Sequence, residues 1–282
     1  MSEPKLTPRY GIIGWPVAHS RSPLIHNHWL AAQGDKAVYE TVPIDPQLDF
    51  RATLEDMAQK GFAGANVTIP HKENAFAAMD TLSETAQRLG AVNTISFAKG
   101  QLSGHNTDGG GFIAGLDAVG TDWRHRPVAL VGAGGAARAI VAALADEGAR
   151  DIRLCNRNRA RVESLVALAG TGGRVTIYDW AARQDMLAGA GLLVNTTSLG
   201  MKGQPALDIN LDGLAASALV SDIVYTPLET PLLAAARQNG LRAVDGLGML
   251  LHQAALAYEV WFGTRPEVKQ ALRQLVLADL EE

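Results

Sequence analysis

VALVGAGGAARAIVAAL, residues 128–144, decides the fold. Val128–Val131 is a short apolar run of strand length, and Ala136–Glu147 carries a helical period. Between them Gly132, Gly134 and Ala137 fit the spacing G-x-G-x-x-A. Gly132 permits a tight turn, Gly134 lets a backbone come close to a pyrophosphate, and Ala137 lets the helix lie close on the strand. The first turn of such a helix offers unbonded N–H groups and a positive dipole end to phosphate. A tight turn that binds nothing is the plain alternative. The strand before, the helix after and a second strand at Asp151–Asn156 favour a dinucleotide.

The end of that second strand selects the dinucleotide. NAD-binding folds place Asp or Glu there to accept from the ribose 2′-hydroxyl. Here the chain reads LCNRNRARVESL, with Asn156 in the acidic position and Arg157, Arg159 and Arg161 after it. A carboxylate repels a 2′-phosphate, whereas guanidinium groups bind one in a fork. NADP is therefore expected over NAD. Basic residues oppose the dipole at a helix start, so three of them ask for a compensating anion. A solvated helix start explains one of them most simply, Arg159.

Working outward, short apolar runs alternate with helical patterns almost from end to end, which argues α/β with mostly parallel strands. Before the glycine turn, strands are expected at Tyr10–Trp15, Val38–Ile44 and Ala65–Ile69, and helices at Ser22–Gln33 and Leu48–Lys60. A hairpin of Val92–Phe97 and Leu102–Asn106 is expected to turn at Lys99-Gly100. After the turn, strands follow at Val175–Tyr178, Leu192–Thr196 and Leu219–Val224. Met249–Phe262 and Glu267–Leu280 are two helices in succession. Asp122–Pro127 reads as a polar seam. The expected fold has two α/β domains: a Rossmann-type nucleotide domain at 122–245, and a substrate domain made by both chain ends, 1–121 and 246–282.

Bulk properties agree with a soluble small-molecule protein. The 282 residues are 47% hydrophobic, enough for real cores, and the net charge of −4 gives no basic balance for nucleic acid. MSEPKLTPRY at the amino end has no apolar signal segment, and no apolar stretch is long enough to span a bilayer. One cysteine, Cys155, excludes an intrachain disulfide and fits a cytoplasmic setting.

Polar clusters sit where strand patterns end: Ser20 and Ser22, Thr68 and Lys72, Asn93, and Asp108. Open α/β sheets bind ligands beyond the carboxyl ends of their strands. Hydroxyl, amide, ammonium and carboxylate groups there suit a small polyhydroxylated acid. Each has a plainer role: Ser20, Ser22 and Asp108 as helix caps, Thr68 as strand filling, Lys72 as a solvated cation, Asn93 in a turn. Met249, Gln253, Leu256 and Val260 share one helix face, where a glutamine needs a partner; a backbone-bonded core glutamine is the alternative. His26 and His28, two apart, do not share a helix face, and no zinc spacing occurs, so no metal is expected.

HSRSP, GANVTIPHK, GAVNT, GHNTDGGGF, GAGGAA, NRNRAR, NTTSLGM, DIVYTPLETPLL and DGLGMLLHQAA run in order from residue 19 to residue 255. Together they resemble the shikimate dehydrogenase family. The resemblance implies reversible NADPH-dependent reduction of 3-dehydroshikimate to shikimate, a step of aromatic amino acid biosynthesis, without an obligate protein partner. It implies Ser20 and Ser22 on the substrate carboxylate, with Thr68, Asn93, Tyr225 and Gln253 on carboxylate or ring hydroxyls. Lys72 and Asp108 would flank the reacting hydroxyl, Lys72 as leading acid/base. Gly132, Ala133, Gly134, Gly135 and Ala136 would hold pyrophosphate, and Asn156, Arg157 and Arg161 the adenosine phosphate. Ile223 and Gly246 would lie by the nicotinamide through backbone, with Met249 packing nearby, and Glu84 would lie near the cofactor. Asn158 stands where many NADP-dependent members have threonine; its amide can still donate to phosphate. His71 would adjust the pocket. A broader quinate/shikimate dehydrogenase and a non-catalytic NADP-binding sensor on the same scaffold are the competing expectations.

Overall fold

The computed structural model describes residues 7–98, 100–119 and 123–281. The first part of the chain forms β1 (Arg9–Gly14), α1 (Ser22–Gln33), β2 (Val38–Pro43), α2 (Phe50–Gln59), β3 (Phe62–Val67) and α3 (Lys72–Ala78). There follow β4 (Thr81–Leu82), α4 (Glu84–Leu89), β5 (Thr94–Ala98), β6 (Gln101–His105) and α5 (Asp108–Asp117). The middle holds β7 (Val128–Val131), α6 (Gly135–Asp146), β8 (Asp151–Cys155), α7 (Arg159–Val166) and β9 (Arg174–Tyr178). Then come β10 (Leu192–Asn195), β11 (Leu219–Asp222), α8 (Pro231–Gln238), β12 (Arg242–Val244), α9 (Gly246–Phe262) and α10 (Gln270–Glu281).

The chain divides into two compact units, one running up to Thr107 and resuming at Ala254, the other Asp108–Gln253. The second is wider than the 122–245 span read from sequence. Its extra helix α5 is held by packing: a Cβ on Gly109 would lie 2.7 Å from the Ala139 carbonyl of α6. The expected seam at Asp122–Pro127 is not wholly polar either. Thr121 and Asp122 lie outside the described residues, but Trp123 is fully buried, and Arg124 reaches both Asp117 (2.8 Å) and Glu147 (2.9 Å).

The unit Asp108–Gln253 carries a parallel sheet ordered β12-β11-β10-β7-β8-β9. Every residue of β7 and β10 is buried, as expected of strands covered on both faces. The chain steps one way from β7 to β9 and the other way from β10 to β12, so the switch point lies between β7 and β10. The other unit orders its sheet β2-β1-β3-β5-β6-β4, parallel at β2-β1-β3 and antiparallel through the β5–β6 hairpin. Ile13, Leu54, Ala65, Val92 and Ile95 lie in its core. Of the expected hairpin turn, Lys99 lies outside the described residues, and Gly100 has a positive φ of 76°.

Strand β3 departs most from expectation: it begins at Phe62 rather than Ala65 and ends before Thr68. Ile69 looked like strand but is 75% exposed, because the chain is already turning into Pro70. Sequence reading also missed the short elements α3, α4, β4, α8 and β12, each under nine residues and too brief to show a period.

Candidate functional site

In the unit Asp108–Gln253 the expected cofactor residues gather at the carboxyl ends of the parallel strands. Gly132 leaves β7 with φ 116°, and its N–H donates to the Cys155 carbonyl at 2.8 Å. A Cβ there would stand 2.3 Å from Thr196 Oγ1, so this glycine is required by the fold itself. Gly134 and Gly135 differ. Both are exposed, and nothing lies within 4 Å of where their Cβ atoms would be. Gly134 caps α6 with extended backbone and no side-chain hydrogen bond to the first turn, so no side chain covers those N–H groups from the cap. Ala133 and Ala136 are half-buried beside them, and Ala137 is buried. The turn is thus a bare backbone cradle whose open space a ligand can fill.

At the end of β8, Asn156 is half-buried and donates to the Asn158 carbonyl at 3.0 Å. Asn158 caps α7, its side-chain oxygen accepting from the Arg161 N–H at 3.3 Å. The three arginines separate. Arg159 is ion-paired with Asp179 at 2.7 Å and Glu163 at 3.3 Å, which is the plain role expected for it. Arg157 and Arg161 are exposed, and neither guanidinium has an ion-pair partner among the described residues.

The end of β11 carries Ile223, whose N–H donates to the Asn195 carbonyl at 3.1 Å. Gly246, opening α9, comes so close that its Cβ would lie 2.2 Å from the Ile223 carbonyl oxygen. A small pocket lies here, lined among others by Asp222, Ile223, Gly246 and Met249. Tyr225 follows, half-buried. Asp108 opens α5 and is buried. Gln253 donates to the Leu250 carbonyl at 2.9 Å, the backbone bond foreseen as its alternative role. Its face, with Met249, Leu256 and Val260, is half-buried, whereas Leu247, Leu251, Ala254 and Tyr258 form the buried seam of α9.

Sequence reading passed over a buried polar group beside this pocket. Asp222, the last residue of β11, is fully buried. Its Oδ1 accepts from Asn195 Nδ2 and the Val224 N–H, each at 3.0 Å, and its Oδ2 from Thr230 Oγ1 at 2.8 Å. Burial pushes its carboxyl up from the ordinary value, against the pull of those donors. An aspartate closing the apolar run LVSDIV was the available signal.

In the other unit the polar residues collect at the ends of β1 and β3. Arg21 stands at the N-cap position of α1 and Ser22 is the helix's first residue. Ser20 Oγ accepts from the Ser22 N–H at 3.3 Å, which leaves its own hydrogen to donate. Arg21 turns away to His19 and to Asp279 of α10. Thr68 continues past β3, its N–H on the Ile13 carbonyl at 2.8 Å and its carbonyl on the His71 N–H at 3.0 Å. Lys72 opens α3, half-buried, with its carbonyl accepting from Val92 at 3.0 Å. Asn93 is buried and braced: Oδ1 accepts from Thr94 Oγ1 and the Thr107 N–H, and Nδ2 donates to Thr107 Oγ1, all at 2.9 Å. Glu84 is exposed in the first turn of α4, where an acid suits the dipole.

Two histidines, His26 and His71, serve packing. His71 is buried against Phe50, and its Nε2 donates to the Ile44 carbonyl at 2.7 Å, away from Lys72 chemistry. His26 stacks on Tyr39 at 4.3 Å, and burial pushes it down to about 3. Among the described residues no group of three or more His, Cys, Asp or Glu could hold a metal, and no helix is long and apolar enough to cross a membrane.

Comparison with known proteins covers most of the chain. The family model for the shikimate dehydrogenase substrate-binding domain matches residues 12–95. The model for shikimate/quinate 5-dehydrogenase matches 116–199, and that for the shikimate 5′-dehydrogenase C-terminal domain matches 246–276. The NADP(+) shikimate dehydrogenase of Paracoccus denitrificans is 50% identical over 98% of both chains. The quinate dehydrogenase of Corynebacterium glutamicum, solved with NAD, is 33% identical with a TM-score of 0.89, covering 96% of this chain and 99% of that one. Shikimate 5-dehydrogenase of Thermus thermophilus, solved with NADP(H) and shikimate, is 34% identical with a TM-score of 0.84, covering 95% and 99%.

Proposed function

This chain belongs to the shikimate dehydrogenase family, and from that premise we infer that it is an NADP-dependent oxidoreductase reducing 3-dehydroshikimate reversibly to shikimate. The observation that carries the cofactor choice is the end of β8: an amide at Asn156 in place of an acid, followed by two exposed guanidinium groups, Arg157 and Arg161, without ion-pair partners among the described residues. The residues present fit the dinucleotide. Within the turn Gly132 to Ala136, Gly134 and Gly135 offer pyrophosphate an uncovered backbone, and the two ends of the cofactor would then lie on opposite sides of that turn. With adenosine on the β8 side, the nicotinamide half falls toward β10 and β11, where Ile223 and Gly246 present backbone. When bound, the nicotinamide supplies or accepts the hydride.

The chain's own groups bind, orient and move the proton. Ser20 and Ser22 donate to the substrate carboxylate, and Thr68, Asn93, Tyr225 and Gln253 hold carboxylate or ring hydroxyls. Asn93 is fixed by Thr94 and Thr107, so it meets substrate without first losing rotamer freedom. Lys72, as an ammonium, donates to the alkoxide that develops on reduction and takes the proton back on oxidation. Asp108 orients the reacting hydroxyl. The fit is to a small anionic polyol without nucleic acid or an obligate protein partner, and the buried lone cysteine suits a cytoplasmic location.

Absorbance at the reduced-nicotinamide band tests this directly, with shikimate and quinate each offered with NADP and NAD. Turnover greatest with shikimate and NADP is expected. Faster turnover of quinate with NAD would replace this reading with the broader dehydrogenase. Tight binding of both ligands with no turnover would make the protein a sensor.

A further inference from the structure

Asp222 is a buried carboxylate for which the reaction above has no use. Its three partners are all donors: a carboxamide N–H from Asn195, the backbone N–H of Val224, and the hydroxyl of Thr230. Thr230 Oγ1 itself accepts from the Leu233 N–H at 3.3 Å, which leaves its hydrogen for Asp222. Asn195 is equally committed. Its Oδ1 accepts from Thr197 Oγ1 at 2.7 Å and the Thr197 N–H at 3.0 Å, and its Nδ2 also donates to the Leu199 carbonyl at 3.0 Å. One carboxylate therefore ties together the loops leaving β10 and β11 and the cap of α8.

The segment so tied is the one that matters for the cofactor. Ile223 lies between Asp222 and Val224. Its N–H is held by the Asn195 carbonyl, the next N–H is held by Asp222, and Gly246 packs on its carbonyl. The peptide joining Ile223 to Val224 is thus held at its N–H by Asp222 and flanked at its carbonyl by Gly246, beside the pocket. A backbone group that recognises a ligand must be aimed before the ligand arrives, and an acceptor with two bonded oxygens aims it.

We propose that Asp222 is a positioning residue for the nicotinamide end of the cofactor, acting through the Ile223–Val224 peptide. The proposal rests on the dehydrogenase reading, which puts the nicotinamide beside Ile223. The adenosine end, at Asn156, Arg157 and Arg161, lies on the far side of β10 and β7 from β11, outside the set of bonds that Asp222 makes.

The test compares two ligands by calorimetric titration of the whole protein. NADP reaches both ends of the site; adenosine 2′,5′-bisphosphate carries the phosphates of the adenosine end and has no nicotinamide. Asp222→Ala is expected to weaken NADP about tenfold, the scale of one net hydrogen bond, and to leave the bisphosphate within about twofold. Asp222→Asn is expected to recover most of the loss, since its amide oxygen can keep both Oδ1 bonds while its NH₂ turns to Thr230. If Asp222→Ala does not fold, Asp222→Ser carries the same expectation, its hydroxyl being too short to reach Val224 and Thr230 together. Equal losses for both ligands would reduce Asp222 to a general stabiliser and overturn the proposal, as would unchanged NADP affinity. Failure of the wild-type protein to bind either ligand would instead overturn the dehydrogenase reading.

Discussion

The end of β7 and the end of β3, the two places proposed for ligands, are built by opposite means. At β7 the turn offers backbone alone. Gly132 is fixed by sterics, and Gly134 and Gly135 face open space that no packing demand requires. At β3 and the segments around it the groups on offer are side chains, and most are already engaged. Asn93 has both side-chain atoms bonded, Ser20 holds the Ser22 N–H, and Thr68 holds its neighbours through backbone. The first end requires glycine at Gly132 for the fold, and leaves the space before Gly134 and Gly135 open. The second is defined by which side chains hold one another still. A site of the first kind fails by obstruction, and a site of the second kind by loosening.

That contrast is sharpest at Lys72, the polar residue asked to do chemistry rather than to hold. Lys72→Ala is expected to lower kcat by about 10²–10⁴-fold, the usual worth of a general acid–base group, while shikimate still binds. Stopped-flow turnover and a separate shikimate titration check this. Normal turnover in a folded variant would move the proton to another residue, and collapse of binding alone would make Lys72 one more holding group.

Arg157 tests the exposed cationic edge of the backbone site. Arg157→Ala is expected to raise KM for NADP by the equivalent of about 1.5–3 kcal/mol, one charge-assisted hydrogen bond, and to leave KM for NAD nearly unchanged. Steady-state kinetics with both cofactors decide it; equal losses would remove the phosphate from this edge.

Two glycines only two residues apart should then behave differently. Gly132→Ala is expected to cost about 1–3 kcal/mol of stability, through its positive φ and the clash with Thr196. Gly134→Val is expected to change the melting temperature little yet weaken NADP about tenfold or more, by occupying the approach to the cradle. Thermal melts paired with NADP titration would erase the distinction if both variants lost stability alike.

The smallest effect concerns the packing under the side-chain site. His26 is neutral when folded because burial pushes it down to about 3. An unfolded histidine titrates near 6.5, so between those values the unfolded chain binds the extra proton and stability falls as pH falls. From pH 6.5 to 5 this amounts to up to about 2 kcal/mol. His26→Phe is expected to flatten that limb in urea unfolding at the two pH values; an unchanged slope would place the acid sensitivity elsewhere.

The same contrast governs what the sequence disclosed. The β7 turn was legible because its demands are steric and fall at fixed spacing. Gly132, Gly134 and Ala137 could be assigned roles from residue type alone. The polar end was legible only as a set of blocks resembling one family, since a serine at a helix start can equally be a cap. Arg159 shows the limit on the cofactor side: its partner Glu163, four residues on, stands in the local sequence, whereas its shorter ion pair, to Asp179 just past a neighbouring strand, does not. Asp222 was legible only as an aspartate in an apolar run. Two of its three partners, Asn195 and Thr230, come from another strand end and a helix cap, so the bonds it makes could not be read from that run.

Trp261, near the end of α9, lies on the sheet of the first unit. Its Nε1 donates to the Ile95 carbonyl at 2.9 Å, and it leaves room at Gly64 for no larger residue, since a Cβ there would lie 2.4 Å from the indole. Tyr258 reaches Asp35 and Arg21 reaches Asp279 in the same unit. On the ribosome, the strands that these residues cover emerge first and their cover emerges last. At about 5–20 residues per second, the intervening stretch Asp108–Gln253 takes roughly 7–30 s to synthesise. For that interval the newborn sheet stands without its aromatic lid, while the later unit can finish folding first.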